Sequence, residues 1–175
     1  MEEMFDTYDI NGKFLCVKSR SFCHGENPGV YHKPVWIWII NSKNKILVQR
    51  RALNKKVNPG LYGVTGGHVD AGETPIATCV RETEEELGIK VDENEFKFLG
   101  EFIHQKGWEL VQTYVLKKDI DLSKVKLQVE EVSEIKWVSL GGFKKLINSK
   151  EFCFMEKEYR DWLIEKINKE MKRMS

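Results

Sequence analysis

The stretch from Gly67 to Ile89 constrains this chain more than any other. It reads Gly-His-Val-Asp-Ala-Gly-Glu-Thr-Pro-Ile-Ala-Thr-Cys-Val-Arg-Glu-Thr-Glu-Glu-Glu-Leu-Gly-Ile. Both ends of a helix are written into it. Thr74 suits the N-cap, because its hydroxyl accepts from a free N–H of the first turn, and Pro75 suits the first helical position, where no N–H is needed. Gly88 suits the left-handed residue that closes a helix. Glu82, Glu84, Glu85 and Glu86 then place four carboxylates within five residues. At about 100° per residue, Glu82, Glu85 and Glu86 share one face, while Ile76, Val80, Thr83 and Leu87 share another that is expected to pack inward. Glu84 is expected in solvent. Like charges at i,i+4 cost a few tenths of a kcal/mol per pair, and the macrodipole disfavours anions near a helix C-terminus. A hard divalent cation such as Mg²⁺ or Mn²⁺ offsets both penalties. The plainer alternative, a solvated acidic face, is favoured by composition alone.

Around this helix the chain reads mostly as strands. Asn11-Gly12 is a turn signal between Phe5–Tyr8 and Phe14–Val17, which predicts an opening β-hairpin over 5–18. Ser19 to Tyr31 reads as irregular. Val35–Ile40 and Lys45–Arg50 flank Asn41-Ser42-Lys43-Asn44 as a second hairpin. Pro59-Gly60 marks a turn before Leu61–Val69, a short strand interrupted by Gly66-Gly67. Phe96–His104, Glu109–Leu116 and Val132–Val138 read as further strands, and Ser139 as the cap of a short helix through Ile147. Tyr159, Trp162, Leu163, Ile167, Met171 and Met174 recur at helical spacing, which predicts a C-terminal helix over about 155–173 packed on the core. Separated helices among dominant strands predict an α+β chain with a mixed sheet.

The chain has 175 residues, a length that suits one domain over 1–175. Its 28 Lys and Arg balance 27 Asp and Glu, so there is no electrostatic footprint for a nucleic-acid polymer. The apolar run Val35–Ile40 is far shorter than the ~20 residues of a membrane helix. The opening Met1–Asp6 has neither a positive n-region nor an apolar h-region. Cys16, Cys23, Cys79 and Cys153 lack zinc-ligand spacing and suit reduced thiols. Together these features predict a cytoplasmic protein. They leave the oligomeric state open, a homodimer among the options.

The wider spacing turns the carboxylate face into chemistry. Gly67, Glu73, Arg81, Glu82, Glu85, Glu86, Gly88 and Ile89 fit G-x5-E-x7-R-E-U-x-E-E-x-G-U, where U is a bulky aliphatic residue; Thr83 is the one departure. This segment, 67–89, resembles the signature box of the Nudix hydrolases. The resemblance implies an α/β/α sandwich and metal-dependent hydrolysis of a diphosphate linkage in a nucleoside diphosphate-X or related small molecule. It implies Glu82, Glu85 and Glu86 as ligands of Mg²⁺ or Mn²⁺, with the Gly66 carbonyl and Glu131, from the loop before a late strand, beside them. Glu73 and Arg81 are implied as a structural pair. Glu82 and Glu85 are both candidates for the general base.

A second resemblance runs from about Asp6 to Val138. Gln49-Arg50-Arg51-Ala52-Leu53-Asn54-Lys55-Lys56, Pro59-Gly60, Gly67-His68 and His32 before Trp38 are similar to isopentenyl-diphosphate isomerase, a Nudix-fold enzyme. It implies that Arg51 and Lys55 hold a substrate diphosphate and that His32 and His68 help bind a second metal or the substrate. The isomerase has a cysteine where this chain has Gly66, and glycine offers no acid or base at carbon. An isomerase-like scaffold with hydrolase chemistry is therefore expected; an isomerase, or a catalytically silent diphosphate-binding module, is the alternative. Ile103–Trp108 carries neither the proline nor the tyrosine of two substrate subgroups. Trp36, Trp38 and Trp108 are candidates for stacking on a base.

Overall fold

The computed structural model describes residues 2–172. Met1 and residues 173–175, including Met174 of the apolar stripe and the last residue of the expected C-terminal helix, lie outside the described residues.

Strands β1 (Met4–Tyr8) and β2 (Phe14–Ser19) pair antiparallel. Their turn is held by Asp9, whose Oδ1 accepts from the N–H groups of Asn11 and Lys13 at 2.9 Å, with Gly12 at φ 77°. The segment expected to be irregular begins instead with a one-turn helix, α1 (Arg20–Cys23), capped by Ser19, whose hydroxyl accepts from Phe22 N. One turn is too short to show a period in the sequence.

A seven-stranded sheet follows, built from β3 (Pro34–Ile40), β4 (Lys45–Arg51), β5 (Tyr62–Gly63), β6 (Thr65–His68), β7 (Phe96–His104), β8 (Glu109–Lys117) and β9 (Val132–Ser139). Helices α2 (Pro75–Leu87), α3 (Leu140–Leu146) and α4 (Lys157–Lys172) complete the chain order. The order is β5-β4-β3-β8-β7, with β6 beside β3 and β9 beside β4. β3 runs parallel to β8 and the other pairs are antiparallel, so the sheet is mixed.

Two details differ from the sequence expectation. β3 and β4 do not form an extended hairpin ladder, because their register is limited to Ile40↔Ile46. Beyond it they diverge: the first half of β3 pairs with β6, and β4 pairs with β9 and β5. The segment Leu61–Val69 is likewise two strands, β5 on β4 and β6 on β3, which part at Val64. The sheet thus splits between β3 and β4, and the gap is filled by polar side chains.

Alternation along β3 sends Val35, Ile37 and Ile39 to one face and Trp36, Trp38 and Ile40 to the other. The first set packs with Leu47, Cys79, Leu87 and Leu116 under α2. The second packs with Val48, Phe143, Tyr159, Leu163 and Ile167 under α3 and α4. Both faces of the sheet are covered, which is why β3 is apolar at every position. The result is an α/β/α sandwich. Trp38 is fully buried and donates to Tyr159 Oη at 3.2 Å, so it belongs to the core and cannot stack on a ligand. No helix among the described residues is long and apolar enough to cross a membrane.

The buried stripe of α2 is rotated from the expected one. Cys79, Thr83, Glu86 and Leu87 are buried, whereas Ile76 and Val80 are only partly so. Thr83 fits inside because its hydroxyl donates to Cys79 O at 2.7 Å. Glu86, expected on the cation face, points into the split of the sheet.

Candidate active site

The helix that carries the carboxylates is capped at both ends. Thr74 accepts from Ala77 N, Pro75 occupies the first helical position, and Gly88 at φ 65° sends its N–H to Glu84 O. This fixes the C-terminal half of α2 against β6 and presents Glu82, Glu85 and Glu86 to a cleft of about 400 Å³. Gly66, Gly67, His68, Arg51, Lys55 and Glu131 line the same cleft.

Each carboxylate has a different environment. Glu86 is 6% exposed, and its Oε2 accepts from Gln49 Nε2 at 3.0 Å and from Gly66 N at 3.2 Å. Gln49 is itself oriented by Thr65, which donates to its Oε1 at 3.0 Å. Burial, reinforced by Glu82, pushes the Glu86 carboxyl up to about 8. Burial also raises Glu82, although Arg81 Nη1 lies 2.8 Å from its Oε1. Glu85 is half exposed and takes a longer contact of 3.3 Å from the same Nη1.

Arg81 is the clamp of the site. Its Nε and Nη2 meet the two Glu73 oxygens at 3.1 and 3.0 Å, and Nη2 also donates to His68 O at 3.0 Å. Thr78 and the Asp70 N–H complete the Glu73 shell. Burial would raise the Glu73 carboxyl, but the Arg81 and Thr78 hydrogen bonds outweigh it and hold it below the usual range. The loop from Asp70 to Glu73 is thereby tied to the helix.

Two adjacent glycines set how closely the strand approaches. A Cβ on Gly67 would lie 2.0 Å from Glu82 Oε1, and one on Gly66 would lie 2.1 Å from the Val35 carbonyl oxygen. The position that carries a cysteine in the isomerase therefore has no room for a side chain on this backbone. Across the cleft, Lys55 Nζ is 2.5 Å from Glu131 Oε1, and Arg51 Nε donates to Val57 O at 3.0 Å.

A second group adjoins the first through His68. The ligand atoms of His24, His32 and His68 lie within 4.8 Å of one another, and His24 Nε2 is 3.2 Å from His68 Nε2. His32 is fully buried, and neither of its ring nitrogens has a hydrogen-bond partner among the described residues. Burial lowers it to about 4, so it stays neutral, with one ring nitrogen carrying a free lone pair and the other an N–H. Glu109 stands 3.7 Å from His32 Nε2 and 3.8 Å from His68 Nε2. The sequence offered no spacing signal for His24 or Glu109; they arrive from α1's C-terminus and from β8. Gln49, which anchors Glu86, was also not singled out. Among the cysteines, Cys153 reaches a pocket beside the cleft, shared with Gly66 and His68, a proximity the sequence does not show.

Comparison with known proteins identifies the family. The family model described as NUDIX domain matches residues 30–157. Nudix hydrolase 3 of Arabidopsis thaliana is 31% identical over 167 residues, which is 88% of this chain and 21% of that protein, so the chain spans about a fifth of it. An uncharacterised Nudix hydrolase of Listeria monocytogenes is 30% identical over 150 residues, 84% of this chain and 88% of that protein. The isopentenyl-diphosphate Delta-isomerase of Streptomyces griseus is 34% identical over 87 residues, covering 49% of this chain and 44% of the enzyme. A Deinococcus radiodurans crystal structure superposes with a TM-score of 0.73 at 20% identity, over 95% of this chain and 98% of that one. The NUDIX domain of Shewanella oneidensis NrtR, solved with ADP ribose, gives 0.62 at 18%, over 86% and 97%. Family model and relatives agree, and the chain belongs to the Nudix hydrolase family.

Proposed function

We propose that the chain hydrolyses a diphosphate linkage in a small molecule, a nucleoside diphosphate-X or a related compound, with Mg²⁺ or Mn²⁺ held by Glu82, Glu85 and Glu86 and supplemented by Glu131 and the Gly66 carbonyl. The observation that carries this reading is Glu86: an acidic side chain is sunk in the sheet beside Glu82, with only neutral donors on it. Such a carboxylate costs desolvation that two neutral hydrogen bonds do not offset, and an oxygen-seeking divalent cation does. When bound, the ion neutralises diphosphate oxygens and makes water a better nucleophile. The remaining work belongs to the chain. Arg51 and Lys55 bind phosphate oxygens, with Lys55 exchanging Glu131 for the substrate. Glu82 or Glu85 takes the proton of the attacking water, and the Arg81–Glu73 pair holds the loop against the helix. His32 and His68, joined by His24 and Glu109, have the donor set of a second metal site, supported by the unpartnered nitrogens of His32.

That histidine group favours one alternative, an isomerase acting on isopentenyl diphosphate. The space at Gly66 argues against it, because the thiol that reaction uses has no place there. The test is phosphate or nucleotide release from a panel of nucleoside diphosphate-X and prenyl diphosphates with Mg²⁺ or Mn²⁺. Release from at least one member, lost in Glu85→Gln and Glu86→Gln, supports the proposal; no release from any member with either metal refutes it.

A further inference from the structure

Beside the diphosphate cleft lies a smaller cavity of about 270 Å³ that shares Arg51, Gly66, Gly67 and His68 with it. Its apolar lining includes Trp36, Val57, Val64, Cys153, Phe154 and Met155. Val57 and Phe154 are 63% and 62% exposed, so two large apolar side chains at this cavity remain open to water. Resting on the hydrolase reading of the adjoining cleft, we infer that this cavity takes the organic substituent of the diphosphate, and that its lining selects a short apolar substituent over a nucleoside.

Three features carry the inference. The first is position: the shared residues line both spaces, so a diphosphate held in the cleft can direct a substituent into the cavity. The second is size: at about 270 Å³ the cavity lies at the small end of sites that hold drug-sized ligands, roughly 300–1,000 Å³. The third is chemistry. A nucleobase needs a planar face to stack on and neutral groups to read its edge. Trp36, the one indole in the cavity, meets Tyr159 edge-to-face at 5.0 Å and 81°, and the exposed ring of Phe154 already carries Lys106 Nζ 5.0 Å from its centroid. Asn58, the one side-chain amide in the lining, lies against the Cys153 thiol. Away from the cleft, His104 and Glu109 are already engaged, His104 Nδ1 with Glu109 at 2.8 Å and Nε2 with Glu156 at 3.1 Å. An alkyl or alkenyl chain needs none of these groups and covers Val57 and Phe154.

The reaction assigned to such a substrate is ordinary anhydride hydrolysis. Water oxygen bonds to the terminal phosphorus, and the bridging P–O bond breaks. The bridging oxygen leaves on the alkyl monophosphate, and the water proton passes to a carboxylate and then to solvent. The products are inorganic phosphate and the alkyl monophosphate.

A chain-length series tests this on the intact protein with Mn²⁺. The probes are methyl, 3-methylbutyl and dodecyl diphosphate, with ADP-ribose and UDP-glucose as nucleotide comparators. The same alkyl series with a methylene bridge between the phosphorus atoms is titrated calorimetrically. Each buried carbon is worth about fourfold, so kcat/KM and affinity rise more than tenfold from methyl to 3-methylbutyl and fall again for dodecyl. Phe154→Ala and Val57→Ser reduce the 3-methylbutyl to methyl ratio, a quantity independent of the fraction of folded protein. A flat series, or a higher kcat/KM for either nucleotide, overturns the inference while leaving the hydrolase reading intact. Chain-length-dependent binding of the bridged analogues without turnover of any diphosphate refutes the hydrolase reading and upholds the cavity's selectivity.

Discussion

Replacing Gly67 by alanine separates the site from the fold with a single methyl group. The added Cβ would sit 2.0 Å from Glu82 Oε1, 2.3 Å from Cδ and 2.8 Å from Oε2, whereas ordinary contact begins at 3.4 Å. The carboxylate must therefore retreat by more than an ångström. It can do so, because it is the far end of a flexible side chain, and Gly67 does not use the left-handed region, so alanine brings no backbone strain. Misplacing a reacting group by about 1 Å costs on the order of 10²-fold. Gly67→Ala is thus expected to lose about two orders of magnitude in kcat/KM, with a melting temperature close to that of the parent. Gly66→Ala should behave in the opposite sense. Its Cβ meets the Val35 carbonyl oxygen at 2.1 Å, a backbone atom that can retreat only by opening the β3–β6 pair. An overpacking cost of about 3 kcal/mol then appears as a lowered melting temperature and poor expression. Metal-dependent phosphate release measured beside thermal melts decides both. Full activity in Gly67→Ala would show that the Glu82 carboxylate is not needed where it lies, and would refute the reasoning.

Four further outcomes are expected. Calorimetry with Mn²⁺ on Glu85→Gln and Glu86→Gln should give affinity weakened by roughly tenfold or more; unchanged affinity in both variants would remove the metal site from α2. Arg81→Ala should cost about 2 kcal/mol, between the values for exposed and buried pairs, and more in stability than in rate per folded molecule; an unchanged melt with abolished turnover would make Arg81 catalytic. In D₂O, isopentenyl diphosphate should take up no deuterium at carbon; uptake that disappears in Cys153→Ser or His68→Ala would assign an isomerase. Glu170, buried on α4 with Lys97 at 2.5 Å and Lys117 at 3.2 Å, titrates below the usual range: burial opposes this, and the two lysines outweigh it. Its pairing stabilises the fold above the unfolded pKa of about 4.3 and is lost as pH falls through the folded value. The melting-temperature gap between the parent and Glu170→Gln should therefore be full at pH 7 and shrink below about pH 4.

What could be read from the sequence follows the range of the interactions involved. The ends of α2 were legible because capping is local: Thr74, Pro75 and Gly88 act on residues within one turn. The apolar stripe of α4 was legible for the same reason. The partner of each strand was not, since one edge of β3 passes from β4 to β6 and the other pairs with β8, through contacts remote in sequence. Periodicity placed Glu86 with Glu82 and Glu85 but could not show that Gln49, Thr65 and the Gly66 N–H would draw it inward. His24 and Glu109 joined the candidate site for reasons of topology: α1 and the start of β8 converge on the end of β6.

The split between β3 and β4 bears on how the protein comes into being. One side of the cleft is assembled within residues 66–86, but the pocket around Glu86 is not. Glu86 meets Gln49 from β4 and Gly66 from β6, and β6 is held by a strand whose other partner, β8, is synthesised much later. Closing such distant pairs is slow, because loop entropy is lost before the contacts form. Enclosure of Glu86 therefore depends on pairs that are far apart in sequence. A nascent chain that has made α2 but not yet paired β3 with β6 and β8 would carry the acidic helix without the strands that enclose Glu86.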